Sequence, residues 1–213
     1  MLRGAKTMKT VIFDMYGVII KDPDGGLVPF VNRTFPELTP DDVYTRAQWI
    51  EASIGGLSSL DFFKNLGYQG GLSKIEKKFL DTIEIDDTFY DTARVLSNYY
   101  RLALLSNDLS EWSGYLRDKF QINHFFDAII VSGDVKMRKP DTRIFQLALE
   151  KLAQPAQDCV YVDDRRKNLA AAQSLGMDTI LFNSRNVQYD GKSVNSFHEL
   201  LDRLIYSNQN KAI

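Results

Sequence analysis

Cysteine, histidine and proline are scarce in this chain of 213 residues, which holds one Cys, two His and six Pro. A lone Cys159 excludes an internal disulfide, which fits a reducing cytoplasm. Standing at the head of an apolar run, it reads as a small buried hydrophobe rather than a nucleophile. His124 and His198 show no ligand spacing, so neither is expected in catalysis. No apolar stretch approaches the roughly 20 residues of a membrane span. The basic segment Met1 to Thr10 lacks the apolar core of a secretory signal, and Met8 offers an alternative start. The net charge of −2 gives no global field that would draw nucleic acid or an anionic membrane as partner, so anion binding must be local.

What is present is a chain with 44% hydrophobic residues, enough for a buried core. Short β-rich runs at Lys9 to Phe13, Arg101 to Leu105, Ala128 to Val131, Cys159 to Val162 and Thr179 to Phe182 alternate, after the first, with amphipathic helical patterns. Those helices are expected over Trp112 to Phe120, Thr142 to Leu152, Asn168 to Leu175 and Phe197 to Tyr206. Alternation of this kind predicts an α/β fold, a parallel sheet covered by helices with ligands at the carboxyl ends of the strands. Residues 22–86 differ, having helix signals and almost no strand signals. Thr39-Pro40 reads as a helix start, Ser73 with Glu76 as a capping box, and glycines divide the segment into roughly four short helices. The expected organisation is a core of residues 1–21 and 87–213 with an inserted helical subdomain of residues 22–86.

Two of the strands end in carboxylates. Val11-Ile12-Phe13 leads into Asp14 and a Gly-containing turn, and Val160-Tyr161-Val162 leads into Asp163-Asp164. Singly, each is as easily a turn or helix-cap residue. Adjacent acids after an apolar strand, however, need a cation, either a metal or the neighbouring Arg165, Arg166 and Lys167. With Ser106-Asn107-Asp108 after Leu104-Leu105, and Lys139 in Arg138-Lys139-Pro140-Asp141, the chain supplies a carboxylate nucleophile, a hydroxyl and amide, a fixed cation and an acidic pair. Such oxygen ligands suit Mg²⁺, which would offset the repulsion between a phosphate ester and three carboxylates. Attack by Asp14 would then form an aspartyl-phosphate, with Ser106 holding phosphoryl oxygens and Lys139 bridging Asp14 and the phosphate.

The four stretches VIFDMYGVII, LLSND, KMRKPD and VYVDDRRKN resemble the motifs of the haloacid dehalogenase-like hydrolase superfamily, over about Lys9 to Asn183. RKPDTRIFQLALEKL, DDRRKNLAAAQSLGM and IGGLSSLDFF resemble the subfamily with a helical cap between motifs one and two. The resemblance implies a Rossmann-like core with a cap that closes over the site. It implies Asp14 as nucleophile and metal ligand, the carbonyl of Tyr16 and Asp164 as further ligands, Asp163 acting through water, Ser106 and Asn107 as phosphate-binding residues and Lys139 as the catalytic lysine. Asn168 stands where other members have another acid, and so is expected to orient water or a neighbouring carboxylate.

Tyr16 departs from the pattern, since phosphatases of the superfamily mostly carry a second Asp there as acid and base. Tyrosine, with a pKa of about 10, is a poor base near neutrality. Asp-x-Tyr-Gly is the form shown by haloacid dehalogenases, which need no metal. The expectation is a cytoplasmic Mg²⁺-dependent phosphatase of small phosphorylated metabolites, slowed by Tyr16. The alternatives are a metal-independent 2-haloacid dehalogenase and a non-catalytic protein that binds metal and phosphate. In the helical insert, Arg46 and Trp49 lie one turn apart, with amphipathic packing and a solvated Arg46 expected. Phe62 and Phe63 are expected in the core of the insert.

Overall fold

The computed structural model describes residues 8–21, 29, 31, 33 and 42–206. Six parallel strands form one sheet: β1 (Thr10–Phe13), β2 (Arg101–Ser106), β3 (Ala128–Val131), β4 (Cys159–Asp163), β5 (Asp178–Phe182) and β6 (Ser193–Val194). Their order is β3-β2-β1-β4-β5-β6, the arrangement of a doubly wound Rossmann-like sheet. The two-residue β6 has no sequence signal of its own and is recruited by backbone bonding to β5.

Both sheet faces are covered, which is why the strands read as continuous apolar runs. Ile12, Ala103, Leu105, Tyr161 and Leu181 point to one face. There they meet Ile144, Phe145 and Ala148 of a helix at Thr142–Leu152, and Leu169 and Ala172 of another at Arg166–Ser174. Val11, Phe13, Leu102, Leu104 and Val162 alternate to the other face. Helices at Thr88–Leu96 and Ser110–Lys119 cover that side with Phe89, Ala93, Trp112 and Leu116. The first of these two gives no separate signal in the sequence pattern, although it buries four residues.

Between β1 and Thr88 the described chain contains α1 (Asp42–Ala52), α2 (Ser59–Asn65) and α3 (Leu72–Asp81), which precede α4 (Thr88–Leu96), and no named strand. The chain leaves and re-enters the sheet domain through adjacent backbones, with an antiparallel bridge between Ile20 and Ile85. Lys21 N donates to Glu84 O at 2.9 Å, and Asp86 N to Ile19 O at 2.9 Å. The expected Thr39-Pro40 start lies outside the described residues. The Ser73/Glu76 capping box is not formed. α3 begins at Leu72 after Gly71, without a side-chain cap, and Glu76 instead accepts the indole N–H of Trp112 at 2.6 Å. A buried indole needs an acceptor, and that need captures the glutamate. The side-chain cap in this segment is Ser58, whose hydroxyl accepts from Asp61 N at 3.1 Å.

Trp112 lies on α5 (Ser110–Lys119), yet its ring completes the core of the helical segment. Its centroid is 5.7 Å from that of Trp49, 5.9 Å from Phe62, 5.8 Å from Phe63 and 4.6 Å from Phe79. Lys119, two turns on, donates to Leu80 O, Asp81 O and Ile83 O at 2.9, 3.1 and 3.0 Å, satisfying carbonyls left over where α3 ends. Trp112→Ala is therefore expected to cost about 3–5 kcal/mol in urea unfolding. A loss below about 1 kcal/mol would show that the insert is not anchored through this ring.

Candidate active site

Strand register brings the acids together. Phe13 pairs with Val162 of β4 and Leu104 of β2, and Asp14 N donates to Val162 O at 2.9 Å. Asp14 thus leaves the sheet beside Asp163, at the point where strand order reverses and a crevice opens. After it the chain turns sharply, with Gly17 at φ +81°. A Cβ on Gly17 would lie 2.8 Å from the carboxyl carbon and Oδ2 of Asp164, so glycine is needed for both conformation and space. Carboxylate oxygens of Asp14, Asp163 and Asp164 all lie within 4.8 Å of one another, and all three residues are buried.

Lys139 fixes this cluster. Its ammonium lies 2.6 Å from Asp14 Oδ1, 3.0 Å from Asp163 Oδ2 and 2.8 Å from Leu105 O, so all three donors are used. Asn107 places the lysine: its Oδ1 accepts from Lys139 N at 2.8 Å and its Nδ2 donates to Lys139 O at 2.9 Å. Asn107 therefore acts as a positioning residue for Lys139. Ser106 closes β2 with its hydroxyl buried and without a hydrogen-bond partner among the described residues.

Asp163 is saturated. Its Oδ1 accepts from Arg165 N at 2.7 Å, Asn168 Nδ2 reaches both oxygens at 3.1 and 3.0 Å, and the Tyr161 hydroxyl donates to Oδ2. Asn168 thus orients a neighbouring carboxylate. Asp164 Oδ2 is held by Arg185 at 2.6 Å and Arg165 at 3.2 Å. Asp14 Oδ1 also accepts Met15 N at 2.7 Å, which leaves Oδ2 as its uncommitted oxygen among the described residues.

Burial pushes the Asp14 carboxyl well above the usual carboxylate range, and the Asp163 charge adds to this against the pull of Lys139. Burial acts on Asp163 in the same sense, but Lys139, Tyr161 and Asn168 more than offset it and hold Asp163 below that range. Burial would lower Lys139, yet the two carboxylates raise it, so it stays a cation. Asp164 is raised in the same sense as Asp14, by burial and then by the Asp163 charge, so Asp163 alone of the three acids is held below the ordinary range. Tyr16 turns its hydroxyl to Asp108 Oδ2 at 3.2 Å. Asp108 is fully buried, and burial raises its pKa well above the ordinary value.

Tyr161 and Arg185 were not among the expected site residues, and Asp108, which stands in the LLSND stretch, carried no expected role of its own. Tyr161 is legible in hindsight, since residues i and i+2 of a strand share a face and Asp163 follows at that spacing. Arg185 lies in a loop 21 residues from its partner and leaves no pattern. His124 and His198 are both exposed and lie outside the cluster. Arg46 is exposed as expected, while Trp49 packs on Trp112.

A family model described as haloacid dehalogenase-like hydrolase matches residues 8–176. A glyceraldehyde 3-phosphate phosphatase of Methanothermobacter thermautotrophicus is 34% identical over 91 residues, 41% of this chain and 39% of the relative. The chain spans only 12% of a drimenol cyclase of Aspergillus calidoustus, to which it is 44% identical over 61 residues. The fold matches a haloacid dehalogenase family enzyme of Bacteroides thetaiotaomicron, in complex with magnesium and inorganic phosphate. The TM-score is 0.72 at 18% identity, covering 86% of this chain and 98% of the other. A dehalogenase matches at TM-score 0.66 and 18% identity, covering 94% and 98%. Fold likeness therefore does not separate the two chemistries.

Two stability measurements test the electrostatics. Lys139→Met leaves two buried carboxylates unpaired and is expected to cost about 3–5 kcal/mol in urea unfolding. Asp14→Asn should do the opposite at neutral pH. Because its folded pKa lies above the unfolded value of 3.8, Asp14 binds more protons folded than unfolded, and its contribution falls as pH rises through that window. The variant is expected to exceed wild-type stability at pH 7 and to lose that advantage toward pH 4; lower stability at pH 7 would refute the assignment.

Proposed function

This chain belongs to the haloacid dehalogenase-like hydrolases, and from that membership we propose that it is a Mg²⁺-dependent phosphatase of small phosphorylated metabolites, acting through an aspartyl-phosphate on Asp14. The observation that carries this reading is the trio of buried carboxylates, Asp14, Asp163 and Asp164, within 4.8 Å of one another. A dehalogenase that works without metal has no use for Asp164 as a third buried carboxylate at this place. The phosphatase relative supports the same choice.

The residues fit a hard divalent cation: three buried carboxylates, with Asp14 Oδ2 uncommitted among the described residues, supply the donors Mg²⁺ takes. Asp14, Asp164 and the carbonyl of Tyr16 would hold it, with Asp163, whose oxygens are engaged, contributing through water. When bound, the ion neutralises phosphate charge and polarises a phosphoryl oxygen.

The chain's own residues do the rest. Lys139 favours the ionised form of Asp14 against its burial and holds it through Oδ1, which leaves Oδ2 to attack phosphorus. The new Oδ2–phosphorus bond forms as the ester P–O bond breaks, and the leaving oxygen takes a proton from water. Ser106, whose buried hydroxyl has no hydrogen-bond partner among the described residues, donates to a phosphoryl oxygen. Water then cleaves the aspartyl-phosphate, releasing phosphate and restoring Asp14. Asn107 and Asp163 act by positioning Lys139. Residues 22–86 would form the cap and residues 1–21 with 87–213 the core, in a protein of the cytoplasm. Among the described residues no helix is long and apolar enough to cross a membrane.

Tyr16 supports a second reading, a binding protein with negligible turnover. Its hydroxyl is engaged with Asp108, and tyrosine is a weak base at neutral pH. Phosphate release from a panel of phosphomonoesters, with and without Mg²⁺, decides. Hydrolysis abolished by EDTA and by Asp14→Asn is expected, as is an increase of up to about 10²-fold in Tyr16→Asp. Metal-independent chloride release from 2-chloropropionate would instead establish a dehalogenase. Mg²⁺ binding without turnover would establish the binding protein.

A further inference from the structure

Beside the carboxylate cluster lies a set of cations that the cluster does not use. Arg138 directly precedes Lys139, Lys167 lies in the first turn of the helix at Arg166–Ser174, and Arg46 lies on α1. The docking of α1 explains why a residue of the insert reaches this place. Ser132 Oγ donates to Ser53 O at 2.5 Å, just past the end of α1. Gly55 packs so closely on the backbone after β3 that a Cβ there would lie 2.9 Å from Gly133 O. The end of α1 is thus seated on the turn that leads into Arg138 and Lys139, with Arg46 two turns before it.

These cations lack compensation. Burial lowers Arg138 below the ordinary arginine value, and the charge of Arg46 lowers it further. Burial likewise lowers Lys167, followed by the charges of Arg138, Arg165 and Arg46. Asp163 acts favourably on Lys167, but it is already engaged by Lys139 and three further donors. Arg165 is paired with Asp164. No ion pair to an acid is made by Arg46, Arg138 or Lys167 among the described residues, and Arg138 Nε is buried without a hydrogen-bond partner. Arg46 and Lys167 are exposed and Arg138 is half-buried, so these like charges from both sides converge where an anion from solvent can join them. Two guanidinium groups and an ammonium suit a carboxylate or phosphate.

We propose that the substrate carries a second anionic group, a carboxylate or another phosphate, beside the phosphoryl group that Asp14 attacks, and that Arg46, Arg138 and Lys167 hold it. This rests on the phosphatase reading and narrows it to phosphomonoesters with an anionic tail. Esters with a neutral tail, glyceraldehyde 3-phosphate among them, are then poor substrates.

The test compares ethyl phosphate, 2-phosphoglycolate and the bisphosphate of ethylene glycol, with Mg²⁺, on the wild type and on Arg46→Gln. Arg46 is exposed, so the variant should fold. In the wild type at least one anionic-tailed ester should exceed ethyl phosphate in kcat/KM by about tenfold or more. That ratio should fall about tenfold in Arg46→Gln, chiefly through KM. Preference for phosphoglycolate assigns a carboxylate tail, and preference for the bisphosphate a second phosphate. A wild-type ratio near one, or a ratio unchanged in the variant, overturns the proposal. If no ester is turned over, the phosphatase reading fails separately, and calorimetry with methylenediphosphonate and methylphosphonate decides the anion site. Binding of the bis-anion about tenfold more tightly, lost in Arg46→Gln, upholds the site, and equal binding of the two overturns it.

Discussion

The ammonium of Lys139 is the interaction on which the site depends. Three carboxylates cannot be buried at the meeting of two strand ends without a fixed positive charge, and Lys139 supplies it to two of them from a wholly buried position. Much of the surrounding structure serves to hold that one atom. Leu105 offers a strand-end carbonyl, Asn107 clamps the lysine backbone through both ends of its amide, and Asp163, itself held by several donors, anchors the ammonium. Asp14, by contrast, is left with Oδ2 uncommitted among the described residues and with an unfavourable burial. The arrangement stabilises the supporting acid and leaves the reactive one strained, as expected for a nucleophile.

The helical insert is tied to the same framework. Trp112, from the sheet domain, fills an aromatic box whose other walls are Trp49, Phe62, Phe63 and Phe79, while Lys119 caps the end of α3. A second tie joins the end of α1 to Ser132 and Gly133 beside the Lys139 loop. Positions on the insert are therefore registered to the strand ends, so Arg46 can contribute to selectivity from an exposed helix face.

Five of the six strands were legible because they are buried on both faces and read as short apolar runs, whereas the two-residue β6 is not. The strand-end acids, Lys139 and the Ser106-Asn107 pair were legible because parallel sheets place chemistry at carboxyl ends. Long-range partners were not. Arg185 reaches Asp164 from a loop, Asp108 meets Tyr16 across 92 residues, and Glu76 is diverted from a local cap by an indole on another helix. Each of these choices is made by tertiary packing, which a local pattern does not encode. Asn107 shows the same limit: its place in the site follows from position, while its bonding to Lys139 follows only from how the two loops meet.

Attack by Asp14 on phosphorus is the central claim, and the covalent state of Asp14 during turnover tests it most directly. The protein is mixed with Mg²⁺ and a hydrolysed phosphomonoester, quenched in acid, digested and read by mass spectrometry. Because Tyr16 leaves the second step without its usual base, the peptide containing Asp14 should accumulate the added mass of one phosphoryl group. Rapid phosphate release with no adduct there, or an adduct on a different peptide, would contradict the assignment.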